Sequence, residues 1–248
     1  MRGVRGMWSG TVRVRAGMLE LSGQIGTAAP HAHRTVQVVI AHAGEFTLAD
    51  AHGTARRARA ALIPPHRTHA VVAGVPDGML VLVDPDSATG RRLIGRTADA
   101  DDLDSWIRAA STLLDDPTWL RDGRFHGVAD PGPAPHRHPA VSRAVALLRT
   151  RLDSGPLRLS DIARAVDLSE SRLAHLFTAE LGLPFRPYVR WLRILRAIDL
   201  VAAGNTLTAA AHGAGFADSS HLNRVCHRMF GIAPSDFRDV RWIIEPTS

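Results

Sequence analysis

At 248 residues the chain has room for two domains of ordinary size, each with its own apolar core. Its formal net charge is +6 and all 30 basic residues are Arg, with the greater excess per residue after position 140, where a phosphate-binding surface needs it. A single cysteine, Cys226, excludes an intramolecular disulfide and a Cys-based zinc finger.

No apolar run approaches the ~18 residues needed to cross a bilayer. The start, MRGVRGMWSG, lacks the apolar stretch of a signal peptide, so a cytoplasmic protein with no membrane partner is expected.

From Trp8 to about Gly95 short apolar alternations are punctuated by Gly, Pro and Asp, as in TVRVRAGMLEL, RTVQVVIAHAGEFTLAD and GMLVLVDPDS. Runs of this length at this spacing predict an antiparallel sandwich or barrel. The two-residue period places His31, His33, Thr35, Gln37 and Val39 on one strand face and Val36, Val38 and Ile40 on the other. His66 and His69 follow in PPHRTHAV, and His42 and His52 have no assigned role.

An amphipathic helix is expected in DADDLDSWIRAASTLLDDP, with Leu103, Trp106, Ile107, Ala110, Leu113 and Leu114 as its apolar stripe and a stop before Pro117. That stripe can serve a dimer contact or pack on the preceding β domain. The passage GVADPGPAPHRHPA, with Pro131, Pro133, Pro135 and Pro139, cannot be regular helix and reads as a stiff linker. VSRAVALLRTRLD then opens a second, helical domain.

That domain spells two helix-turn-helix units. In LSDIARAVDLSESRLAHLFTAELG, Ser160 is placed to cap a first helix and Ser169 a second one carrying Leu173, Leu176 and Phe177 inward. In TAAAHGAGFADSSHLNRVCHRMFG the corresponding caps are Thr208 and Asp218, with Leu222, Val225, Met229 and Phe230 inward. Cys226 falls in this last helix, where a small packed side chain is a better reading than a redox sensor. Between the units, FRPYVRWLRILRAIDLVAAG predicts a helix of roughly 18 residues, about 27 Å long, near the ~34 Å turn of B-DNA.

Residues near the start of each second helix face the major groove. These are Ser171, Arg172, Ala174 and His175 in the first unit, and Ser219, Ser220, His221, Asn223 and Arg224 in the second. Arg224 suits guanine O6 and N7, and Asn223 suits adenine. Arg172, Arg190, Arg193 and Arg228 are candidates for phosphate contact, solvated faces or internal pairs.

The run Gly215, Phe216, Asp218, Ser220, Leu222 and the closing Gly231, Pro234, Phe237, Arg238 resemble the signature of the AraC/XylS family of bacterial transcription regulators. PHAHRTVQ and PPHRTHAV resemble the two motifs of the cupin barrel, which members of that family often carry at the N-terminus. The resemblance implies a cupin-like effector-binding domain over 1–98, an amphipathic helix and dimer contact over 99–126, a Pro-rich linker over 127–140 and a tandem helix-turn-helix domain over 141–240. It also implies His31, His33, Gln37 and His69 as ligands of a divalent transition metal, with two departures: Gln37 replaces the usual Glu, and His66 stands where a Gly is usual. An organic effector pocket or hydrogen-bonded core histidines are the alternatives to a metal.

The expected function is an effector-responsive, sequence-specific regulator and not an enzyme, with double-stranded DNA, a small-molecule or metal effector, RNA polymerase and a second copy of the chain as partners. A metal-dependent cupin enzyme fused to a DNA-binding domain is the alternative, and the missing Glu argues against it.

Overall fold

The computed structural model of the protein describes residues 7–15, 18–97, 102–114, 137–152, 155, 157–237 and 239–244. The chain forms two compact units, Met1–Pro133 together with Cys226–Ser248, and Ala134–Val225.

The first unit is built on strands β1 (Ser9–Arg15), β2 (Met18–Ile25), β3 (Ala28–His31), β4 (Val36–Ala41), β5 (Phe46–Asp50), β6 (Ala55–Ala58), β7 (Ala60–Ile63), β8 (His69–Ala73) and β9 (Val75–Val83). A tenth, β10 (Asp239–Ile244), comes from the far end of the sequence. One sheet has the order β10-β1-β2-β9-β4-β7 and the other β3-β8-β5-β6, a barrel-like pair of sheets that do not join into one hydrogen-bonded ring among the described residues. Neighbouring strands run antiparallel, except that β10 lies parallel to β1 with Ser9 opposite Asp239 and Val14 opposite Ile244.

Every residue of β4 is buried because both of its faces are covered. Val39 and Ala41 meet Phe46, Leu48 and Val71 of the smaller sheet in the core between the sheets. Val36, Val38 and Ile40 point the other way and meet Leu93, Ala110 and Leu113. The alternation expected for this strand therefore holds, but the single strand face from His31 to Val39 does not. The chain leaves β3 after His31 and enters β4 at Val36, crossing from one sheet to the other.

Two helices cover the outer face of β4. Within the region expected to be all strand, Ala88–Gly95 is helical (α1), because Ser87 accepts a hydrogen bond from the Gly90 amide at 2.9 Å and starts it. Helix α2 (Leu103–Ala110) is capped reciprocally by Asp102 and Ser105 and continues as a 3-10 turn to Leu113. Leu103, Trp106, Ala110 and Leu113 of its apolar stripe are buried against its own β domain, each of the two leucines contributing roughly 1.5–3 kcal/mol. Leu114 stays exposed. The remainder of the expected 99–126 segment beyond Leu114, and linker positions 127–136, lie outside the described residues.

The second unit is helical: α3 (Pro139–Thr150), α4 (Leu159–Ala165), α5 (Glu170–Leu181), α6 (Phe185–Ala202), α7 (Leu207–Gly213) and the start of α8 (Ser219–Phe230). Pro139, expected in the linker, occupies the first turn of α3, where a missing N–H costs nothing. The connecting helix α6 has the 18 residues anticipated. Phe177, Phe185 and Tyr188 form an edge-to-face cluster, with ring centroids 5.5 and 5.6 Å from Phe177. No helix among the described residues is long and apolar enough to cross a membrane.

Candidate functional site

In the second unit, α4 to α5 and α7 to α8 are the two helix-turn-helix pairs. Ser169 caps α5 through the Arg172 amide at 3.2 Å, and Asp218 caps α8 through the His221 amide at 2.6 Å, both as the sequence implies. The other two caps differ. Helix α4 starts from Arg158 with no side-chain cap, leaving Ser160 inside its first turn, and α7 is capped by Thr206 rather than Thr208, with the Ala209 amide 3.2 Å from the Thr206 hydroxyl. In each case the helix begins two residues earlier than the apolar pattern suggests, because Leu159 and Leu207 already have helical backbone.

The caps leave one face of each second helix outward. Ser171, Arg172 and His175 are exposed and Ala174 half-buried, while Leu173, Leu176 and Phe177 are buried. On α8, Ser220, Asn223 and Arg224 are exposed and Leu222 and Val225 buried. Ser219 and His221 are half-buried, and the His221 ring stands edge-on to Phe216 at 5.4 Å. Among the arginines, Arg193 is packed under the second turn: its Nε is buried without a hydrogen-bond partner, and a Cβ on Gly215 would fall 3.1 Å from it. Arg172 remains exposed and Arg190 half-buried. Burial pushes the Cys226 thiol up to about 12, the behaviour of a packed side chain rather than a reactive thiolate.

In the first unit the sequence-separated histidines converge. His31 ends β3 and His69 opens β8, and the two are cross-strand partners. His33 lies in the crossing from β3 to β4, and Gln37 follows on β4. One ligand atom from each of His31, His33 and His69 lies within 4.8 Å of the others, and all three residues are buried. The crossing is pinned by Arg34, buried beside His33, which pairs with Asp84 at 2.9 Å and with Asp86.

The hydrogen bonds orient these rings. His31 Nδ1 lies 2.8 Å from the Ala29 carbonyl, His33 Nδ1 3.0 Å from the Thr35 carbonyl and His69 Nδ1 3.0 Å from the Arg67 carbonyl. A ring that donates its Nδ1–H to a carbonyl carries its lone pair on Nε2, the arrangement typical of a metal-binding imidazole. His69 Nε2 is buried with no hydrogen-bond partner. His33 Nε2 lies 2.9 Å from Gln37 Oε1, and the Thr35 hydroxyl lies 2.9 Å from His33 Nδ1, so His33 has a second option: donating Nε2–H to Gln37 while accepting from Thr35. Ligation takes the first tautomer.

Burial lowers all three imidazoles. His31 is lowered to about 4 by desolvation and then by neighbouring His33; desolvation lowers His33; and His69 is driven well below its ordinary value by desolvation, then by His31 and His33. Neutral imidazoles in this arrangement fit a divalent transition metal, provided that His33 gives up its Nε2 hydrogen bond to Gln37. His66 explains one departure from the cupin pattern. Its φ of +64° is the left-handed conformation for which glycine is favoured, and its amide donates to the His33 carbonyl at 2.8 Å, so the turn is kept without the glycine. His42 and His52 are exposed and stand apart from the cluster.

Residues 162–239 match a protein family described as a helix-turn-helix domain. A putative AraC-like transcription regulator of Streptomyces lividans is 33% identical over 122 residues, 47% of this chain and 36% of that protein. The arabinose operon regulatory protein of Escherichia coli is 29% identical over 99 residues, 40% of this chain and 34% of that protein. The chain thus matches only about a third of the length of these relatives. A structure of ToxT from Vibrio cholerae with unsaturated fatty acid bound has a TM-score of 0.56 at 14% identity, covering 90% of this chain and 95% of that one, and shows the same fold. The similarity to AraC-like regulators covers less than half of the chain, and the fold is a β domain followed by a helical domain that includes the matched helix-turn-helix region.

Proposed function

We propose that the protein is a transcription regulator that binds double-stranded DNA through α5 and α8 and responds to a transition-metal ion held by His31, His33 and His69 in its β domain. The observation that carries the DNA-binding half is the matched helix-turn-helix region, in which Arg172, His175, Asn223 and Arg224 stand exposed beside a buried apolar face. The metal half rests on the three oriented imidazoles and the unpartnered Nε2 of His69. Gln37 sits beside His33 and would offer its amide oxygen or leave room for water. A regulator of this kind works where the DNA is, in the bacterial cytoplasm.

An organic acid is the weaker effector, although a ToxT structure has a fatty acid bound. A carboxylate needs a cationic or strongly donating partner, and these imidazoles are held neutral by burial. A catalytic cupin reading is weaker too, since Gln37 brings no negative charge to a metal-bound reactant.

Metal analysis of gently purified full-length protein, with DNA binding measured at several salt concentrations before and after chelation, tests both halves. The reading expects a stoichiometric transition metal, binding that weakens steeply with salt, and a change in DNA affinity on chelation. Salt-insensitive binding removes the first half, and protein that neither retains nor takes up metal removes the second.

A further inference from the structure

The first unit includes the segment from Cys226 onward, so the last turn of α8 lies in the same compact body as the histidine cluster. Its seat there is tight. Gly231, directly after the helix, has φ +69°, its carbonyl accepts from the Ala29 amide at 2.9 Å, and a Cβ on it would fall 2.2 Å from the Ala29 carbonyl oxygen and 2.7 Å from His31 Nδ1. The Phe230 ring centroid is 6.2 Å from that of His33, and its side chain packs on the core between the sheets.

One turn back on the same helix stands His227, whose carbonyl accepts from the Gly231 amide at 2.9 Å. Its side chain is exposed, one turn before the Gly231 that seats against Ala29 and His31, and a charge on it disfavours protonation of His31, a smaller effect than burial and His33. It is not among the three residues whose ligand atoms already lie within 4.8 Å of one another.

We propose that His227 supplies an additional imidazole to the metal held by His31, His33 and His69, so that the ion draws in the last turn of the helix that carries Asn223 and Arg224. The inference rests on the metal reading above and adds its route to the DNA. Binding the ion through β-domain groups alone would leave α8 where it is. A bond to His227 gives the metal a differential grip on two positions of α8, which is what a ligand needs to shift an equilibrium. Gly231 supplies the pivot, being pinned to Ala29 at one end and bonded to His227 at the other.

The test uses full-length protein with Zn2+ for affinity and DNA binding and Co2+ for visible absorption. His227→Ala, at an exposed position, should fold normally, keep one metal per chain with affinity lowered about tenfold or more, alter the Co2+ spectrum and lose the metal-dependent change in DNA affinity. His227→Cys should introduce a thiolate-to-Co2+ charge-transfer band absent from the parent. His33→Ala should lose the metal itself. If the parent binds metal but His227→Ala leaves affinity, spectrum and the DNA response unchanged and His227→Cys adds no new band, the role of His227 is overturned while the three-histidine site stands. If the parent binds no metal, the underlying reading fails and this inference with it.

Discussion

His31 and His69 are cross-strand partners whose rings stand 4.2 Å apart, both lowered in basicity by burial and each bonded through Nδ1 to a carbonyl two residues earlier in the chain. Two neutral imidazoles at this separation do not repel, but two protonated ones would. Acid should therefore unfold the β domain through these residues. A histidine lowered to about 4 when folded and near 6.5 when unfolded leaves the folded state binding fewer protons between those values. Stability then falls as pH drops from about 6.5 to about 4, and is unaffected by this group above that window. Thermal melts of metal-free protein across this range should show the loss, and His31→Gln should flatten it. A parent and variant with parallel profiles would show that His31 carries no such linkage.

The Gly231 seat allows a sharper stability test. Gly231→Ala places a methyl group against the Ala29 carbonyl oxygen and requires a left-handed backbone of a residue with a Cβ. We expect a loss of about 1–3 kcal/mol or more, seen as a lower unfolding midpoint for the first unit, whereas Gly44, which shares the left-handed backbone at φ +75° but has open space around it, should lose only the backbone part, about 1 kcal/mol. Equal effects at the two positions would contradict the close packing at Gly231.

Capping gives a prediction for the helical unit. Ser169→Ala and Asp218→Ala each remove a side-chain acceptor from the start of a recognition helix, at a cost of about 1 kcal/mol each. Ser160→Ala and Thr208→Ala should be close to neutral, since neither residue caps a helix. Denaturant midpoints for the four variants check the ordering, and a loss at Ser160 as large as at Ser169 would contradict it.

The division into a β domain and a tandem helix-turn-helix was legible in the sequence because each rests on local periodicity and turn chemistry: the alternation around Val36 to Ile40, the apolar spacing of Leu173, Leu176 and Phe177, and the caps Ser169 and Asp218. The grouping of His31, His33 and His69 was legible only through the resemblance of PHAHRTVQ and PPHRTHAV to the cupin motifs. What local pattern could not show was long-range pairing. Nothing in DVRWII names β1 as its partner, so the parallel addition of β10 and the seating of Gly231 on Ala29 emerge only from the fold. An excised fragment from Pro139 to Ser248, which the proline-rich linker makes attractive, would separate β10 from β1 and leave part of the first unit behind. Helix α1 was missed because its eight residues, ATGRRLIG, carry too little apolar repeat to register beside the strands.

The central claim is that the exposed faces of α5 and α8 read DNA sequence, and selection of binding sites from random duplex DNA by the full-length protein tests it most directly. The parent should select a defined site. Arg224→Ala should relax preference at one guanine by about 1–3 kcal/mol while the rest of the site persists, and Arg190→Ala should weaken binding to all sequences alike. Failure of the parent to enrich any sequence, or an Arg224→Ala protein that binds every site more weakly with its preference intact, would contradict the account.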